Sequence, residues 1–456
     1  MSTAAAAGRR GAGGYALHVV LLAAFGGLVL AVTRLAPETH GSLWTIAAIG
    51  FLLLAGTLMS ELVAPLGLPH LTGYLLAGII SGPYVLRLVD EHTVKTLSPV
   101  NTLALSLIAL AGGAELDLET VRKGAKSLAW ATVVQCLFVL VVVTGLFFAG
   151  ARTVLPFARS LRPAALLGFA LLWGALSVTR SPSATLGILS QTRASGPLAT
   201  FTLAFVMTSD IVVVVLVSLV MSIARPLVDP TATFALDSLR TLGHNLFGSV
   251  ALGTTLGLFI AAYLLLVERQ MLVVLLVLGF GVSTVVEYLK FDSLLTFMVA
   301  GFIVRNLSSQ GHKFLRYIEQ TGTVVYVVFF ATAGADLNVP LLHTLGPAAL
   351  VLALARTVVT WAGGRLASRL AGDPPALRTW GWSGLVSQAG LALGLSVIIA
   401  REFPGFGTQF RALAIAAVAI NEMVGPILFK LALDRTGETS PIQAPSFPSM
   451  IPPPPS

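Results

Sequence analysis

Charge is scarce in this chain. Only 11% of its 456 residues are Asp, Glu, Lys or Arg, against about 25% in an ordinary soluble domain. That shortage excludes a soluble globule. Cysteine is nearly absent too: Cys136 is the single one and lies inside an apolar run, so neither an internal disulfide nor a thiolate metal site is available. No Gly-rich phosphate loop occurs and no polar block is large enough for a catalytic domain, so an enzyme is not expected and no cofactor is called for. His70, His343 and the other histidines fall near the ends of apolar runs and show no metal spacing. The net charge of +8 does not point to nucleic acid. Basic residues sit in short connecting segments, where they orient membrane spans relative to the cytoplasm.

What is present is apolar sequence in blocks of roughly twenty residues, the length of a helical span; barrel strands would be ~9–11 residues long and alternating. The chain therefore reads as an all-α polytopic membrane protein embedded in the lipid bilayer. Spans are expected at 16–33, 44–63, 70–87, 99–116, 127–150, 162–190, 197–224, 242–267, 270–288, 291–306, 319–337, 346–369, 379–401 and 408–431, about fourteen in all. The Ala16–Thr33 run follows a small, flexible segment carrying Arg9 and Arg10. It lacks a small-x-small cleavage site near Val32, so it reads as an extra, uncleaved span. Three units are expected: 1–42 as tail and extra span, 43–432 as the transmembrane unit, and 433–456 as a disordered Pro- and Ser-rich tail. Of the 28 Lys and Arg, about 15 fall on the side holding both termini and about 11 on the other, with Arg180 and Arg356 at membrane depth. That bias puts both termini in the cytoplasm.

Within Pro197–Ala224 the only ionisable side chain is Asp210, near the middle. A carboxylate there costs at least ~2.5–3.5 kcal/mol on insertion scales, so it is expected to face a water-filled path, a partner or a bound ion. The preceding span is interrupted by Thr179-Arg180-Ser181-Pro182-Ser183.

Two pieces of the chain recur. Gly73-Tyr74-Leu75-Leu76-Ala77-Gly78-Ile79-Ile80 is echoed by Thr296-Phe297-Met298-Val299-Ala300-Gly301-Phe302-Ile303, and Gly113-Ala114-Glu115-Leu116-Asp117-Leu118 by Gly334-Ala335-Asp336-Leu337-Asn338-Val339. The echoes fall seven spans apart. An odd offset means opposite orientation in the membrane, the mark of an inverted repeat, here about 44–224 and 270–432. Extending the repeat sets the break at Thr179–Ser183 against Leu385-Val386-Ser387-Gln388-Ala389-Gly390, and Ser209-Asp210 against Asn421-Glu422. Each half thus supplies an interrupted helix followed by a helix with a buried carboxylate. Discontinuous helices expose amides and carbonyls at the bilayer midplane, where such folds bind ions.

These pieces, with Phe329–Leu337 and the buried Arg356, resemble in order and spacing the monovalent cation:proton antiporter family of the sodium/proton exchanger superfamily, from Leu43 to Leu431. The unit looks Kef-like, without the nucleotide-binding regulatory domain of many potassium-efflux relatives, since 26 residues follow Lys430. The resemblance implies two crossing broken helices, a dimerisation domain, a homodimer and elevator-type alternating access. Ser209 stands where the family often has Asp, Asn or Gln, which resembles the electroneutral branch; Arg356 fits that branch, where electrogenic members carry Lys. Arg180 departs from the family's usual crossing sequences.

The expected function is exchange of a monovalent cation, Na+ or K+, for H+ in the cell membrane. Cation and proton compete at Asp210, which holds no metal beyond the transported cation. Thr208, Ser209, Thr179 and Ser181, with carbonyls freed at Pro182, are the expected oxygen ligands. Arg356 is read as holding the crossed helices together and would need a carboxylate, Glu422 or Asp336. Arg180 is read either as a salt bridge at the break or as tuning Asp210, and Glu422 as a packing or ion-pair residue ahead of a second carrier. The rival readings are a potassium efflux channel of the same fold and a non-transporting membrane sensor.

Overall fold

The computed structural model describes residues 20–24, 26–27, 42–229, 236–267, 271–289, 291–337 and 339–439, all helix and connecting turns with no strand among them. In chain order the helices are α1 (Ser42–Val63), α2 (His70–Ser81), α3 (Glu91–Thr96), α4 (Ser98–Glu115), α5 (Leu118–Lys123), α6 (Ala125–Val154), α7 (Pro163–Ser177), α8 (Pro182–Thr192) and α9 (Pro197–Val228). There follow α10 (Leu236–Leu266), α11 (Met271–Leu289), α12 (Ser293–Leu307), α13 (Gly311–Asp336), α14 (Val339–Ala371), α15 (Pro375–Trp380), α16 (Gly390–Glu402) and α17 (Gly407–Thr436). Every expected span from residue 44 onward coincides with one of these helices or with a pair of half-helices. The extra span at Ala16–Thr33 lies largely outside the described residues. Among the described residues, six stretches, counting α7 and α8 as one, are each long and apolar enough by themselves to cross a bilayer.

Two spans are discontinuous. The first ends at Ser177 and resumes at Pro182, whose ring cannot continue the preceding hydrogen-bond ladder. Ser181 caps the restart, its hydroxyl accepting from the Ala184 amide at 3.1 Å. The second runs through α15 and a short 3-10 turn, Ser383–Leu385, then resumes at Gly390.

The sequence echoes meet in space. α2 packs against α13, and α4 against α12. A Cβ on Gly78 would overlap the Ala331 carbonyl oxygen, and one on Gly334 that of Leu75. At the other contact, Gly113 sits on the Met298 carbonyl and Gly301 on that of Leu110. Small residues let helix backbones close in where lipid provides no hydrophobic drive between helices. Each contact joins the first echo of one half to the second echo of the other.

Two large apolar clusters build the interior, and the helices change cluster at one level. In α9, Leu198 to Met207 belong to one cluster and Val213 to Ala224 to the other. In α17, Phe410 to Val418 lie in the second cluster and Phe429 to Leu433 in the first. The first broken span leaves the second cluster at Val178 and joins the first at Ala184. The second broken span passes the other way, from Leu385 to Ala392. Between the clusters lies a layer in which both breaks, Ser209 and Asn421 are buried.

Candidate functional site

Arg356, on α14, organises that layer. It is 3% exposed and donates four hydrogen bonds, all to backbone carbonyls. Nε reaches Ser177 at 2.8 Å and Nη2 reaches Thr179 at 2.8 Å, both at the end of α7. Nη1 reaches Val386 at 2.6 Å and Nη2 reaches Leu385 at 3.2 Å, at the end of the second half-span. The last carbonyls of a helix have no intrahelical partner and carry the negative end of its dipole. One guanidinium therefore neutralises two converging helix ends. The expected carboxylate partner of Arg356 is not found among the described residues: none of their ion pairs joins it to Glu422 or Asp336, and Asp336 is exposed at the end of α13. Four of the five donors of the planar Arg356 fork go to carbonyl dipoles.

Gln388 joins the breaks a second time. Its Nε2 donates to the Thr179 hydroxyl at 2.8 Å and to the Leu176 carbonyl at 3.0 Å. Its Oε1 accepts from Asn421 Nδ2 at 2.8 Å, which ties α17 into the same network. A cavity of about 10 Å³ borders Arg356, Gln388, Asn421 and Trp173, about the size that holds one water.

The other expected site residues are placed as follows. Thr179 is fully buried, its hydroxyl donating to the Leu176 carbonyl at 2.8 Å while accepting from Gln388. Ser181 is buried as the cap of α8 and lies 3.1 Å from the Ser183 hydroxyl. Ser209 is fully buried and donates to the Val206 carbonyl at 3.0 Å. Thr208 faces away: it is exposed, and its hydroxyl bonds the Ala204 carbonyl of its own helix at 2.7 Å. Asp210 is on α9, and its side chain lies outside the described residues. Arg180 is 2% exposed, donates to the Val178 carbonyl at 2.8 Å and stands 4.6 Å over the Phe205 ring, one turn before Ser209. Glu422 is buried on α17, and none of the ion pairs among the described residues includes it.

The transmembrane model of the sodium/hydrogen exchanger family matches residues 49–433 of this chain. The chain belongs to that family. No curated protein matches this exchanger-family chain in sequence. Among solved structures it is similar to the sodium proton antiporter MjNhaP1 from Methanocaldococcus jannaschii at pH 8, with TM-score 0.63 and 16% identity over 86% of this chain and 96% of that one. An electron-microscopy structure of the same antiporter gives TM-score 0.69 and 16% identity over 88% of this chain and all of that one. At that identity the likeness concerns the fold: this exchanger is a multi-pass membrane protein with the antiporter architecture. Its family is one of cation/proton transporters.

Two residues that hold the exchanger's architecture, one in the polar layer and one at the start of α9, are not readable as such from sequence. Gln388 shows only as a polar residue in an apolar stretch. Glu438 follows the helix-ending Gly437 in what reads as tail, yet it is 8% exposed and its carboxylate accepts from the Leu198 amide at 2.9 Å and the Ala199 amide at 2.8 Å. It caps the start of α9 from far along the chain. Glu438→Ala is expected to cost about 2 kcal/mol, the loss of a charged cap with two amide bonds. A lowered midpoint of thermal unfolding in detergent, largely restored in Glu438→Asp, checks this.

Proposed function

We propose that this chain exchanges one monovalent cation, Na+ or K+, for one proton across the plasma membrane, and that both bind in turn at Asp210. The observation that carries the reading is the polar layer between two apolar clusters, where two broken helices running in opposite senses meet around Arg356. Non-helical backbone at membrane depth is tolerated where it lines an ion site, and half-helix ends supply the dipoles that hold ions. With Arg356 occupied by carbonyls, its charge is spent on the scaffold and leaves the single carboxylate of α9 to select its ligand.

A carboxylate that binds either a proton or a small cation is sufficient for antiport. Hard monovalent cations take oxygen ligands, and the Ser209, Thr179 and Ser181 hydroxyls with the carbonyls of the first break are the supply at this level. Thr208 would join them only if α9 rotates, since its hydroxyl is directed out of the layer. A one-for-one swap loads the carrier with equal charge in both directions, so the membrane potential, worth ~2.3 kcal/mol per charge per 100 mV, does not drive it. The exchanger family and the antiporter fold support cation/proton exchange. The inverted-repeat halves, a homodimer and cytoplasmic termini belong to the same proposal, as does the transmembrane unit at 43–432 following a separate N-terminal segment.

Asp210→Asn in proteoliposomes is expected to reduce cation-dependent proton flux to the background of protein-free vesicles, with Na+, K+ and Li+ supplied in turn. Exchange by this variant at the wild-type rate would refute the role of Asp210. A strong dependence of the wild-type initial rate on an imposed potential would overturn the one-for-one count.

A further inference from the structure

Glu422 has no function in the arrangement described so far. It lies near the middle of α17, is 6% exposed, and its Oε1 is buried without a hydrogen-bond partner. None of the ion pairs among the described residues includes it. α17 packs against α14, α16, α8, α2, α9 and the 3-10 turn of the second break. The ionisable side chains these elements bring to the level of the layer are few. Arg356 is engaged by four carbonyls, and Arg180, just before α8, donates to Val178 and covers the Phe205 ring. On α2, Tyr74 lies near Ser60 and Glu61, and His70 near Glu61 and Lys430. α9 carries Asp210. An ionised carboxylate buried with neither cation nor donor is among the most expensive arrangements in a protein, whereas the neutral acid is tolerated.

We propose that Glu422 is a proton-binding site of its own: it holds one proton throughout the exchange cycle, and losing that proton stops the carrier. This rests on reading the polar layer as the transport site. The link between the two is on the same turn of α17. Asn421 donates to Gln388, and Gln388 in turn donates to Thr179 and Leu176 of the first break. Gly425, on the same face as Glu422, lies against Ser387 of the second break with no room for a Cβ. Pro426 has no amide to bond the Glu422 carbonyl four residues earlier, so this turn of the helix is the one free to shift. Ionised, Glu422 must move toward water, and that movement draws Asn421 from Gln388 and parts the two breaks. Since the proton stays in place during each turnover, exchange at Asp210 keeps its one-for-one count.

The test uses wild-type protein in proteoliposomes, labelled with 13C-carboxyl glutamate, and infrared spectroscopy across pH. A carbonyl stretch of a protonated carboxyl is expected at neutral pH, shifted by labelled glutamate and not by labelled aspartate, and lost on alkaline titration. Glu422→Gln lacks the band and Asp210→Asn keeps it. Isotopic cation exchange at equal pH on both sides is expected to fall about tenfold in step with the band in the wild type. In Glu422→Gln, normalised to its own neutral rate, that alkaline fall is absent. The proposal is overturned if no glutamate-shifted band exists at neutral pH, if the band persists in Glu422→Gln, or if the variant keeps the alkaline fall. The labelled wild-type spectrum decides alone should the variant not fold. Failure of the transport-site reading is a separate result, seen as wild-type exchange by Asp210→Asn.

Discussion

Arg356→Ala is expected to remove most of the folded, transport-competent protein. The substitution unmakes four hydrogen bonds from a charged donor, each worth about 1.5–3 kcal/mol, and leaves four carbonyls without partners at membrane depth. The contributions are not additive, but a loss of at least about 5 kcal/mol follows, comparable to the whole stability of many domains. Arg356→Lys is expected to recover only part of it, because an ammonium has three donors and no planar fork to span two helix ends. Thermal unfolding in detergent and proton flux in vesicles read the two effects together. An Arg356→Ala protein that melts with the wild type would show that the guanidinium does not hold the breaks.

Gly113→Val is expected to prevent α4 and α12 from docking. Any Cβ at this position overlaps the Met298 carbonyl oxygen, and the Phe302 amide nitrogen follows at 2.8 Å. Both obstacles are backbone, so no rotamer change relieves them and the helices must separate. Overpacking costs about 1–3 kcal/mol where side chains can yield, and here the cost exceeds that range. The reciprocal contact at Gly301 predicts the same outcome for Gly301→Val. Gly145, on α6, has open space around its Cα, so Gly145→Ala is expected to leave stability unchanged or raise it by up to about 1 kcal/mol. Yield of monodisperse protein on size exclusion, compared across the three variants, separates the close contact from a general intolerance of substitution.

The membrane fold is legible because apolar length is a direct physical requirement of the bilayer. The first break is legible because Pro182 cannot continue a helix. The second break has neither proline nor charge between Leu385 and Gly390, so only its correspondence with the first betrays it. The partners of Arg356 leave no trace at all: they are backbone carbonyls, common to every residue, and a search for a carboxylate misses them. Thr208 could have been set aside from sequence. It is about 200° around the helix from Asp210, so the two side chains leave α9 on nearly opposite faces. Glu438 carries no local signal, since its role depends on the far end of the chain arriving at Gly196 and Pro197.

That arrival joins two rods at their tips. Asp210 lies about 18 Å along α9 from the amides that Glu438 holds, and Glu422 lies about 20 Å up α17 from the same junction. Each helix carries one acid at nearly equal reach from that shared junction. Because one carboxylate fastens the end of α17 to the start of α9, the distance of each acid from this end of the molecule is set by the same two hydrogen bonds.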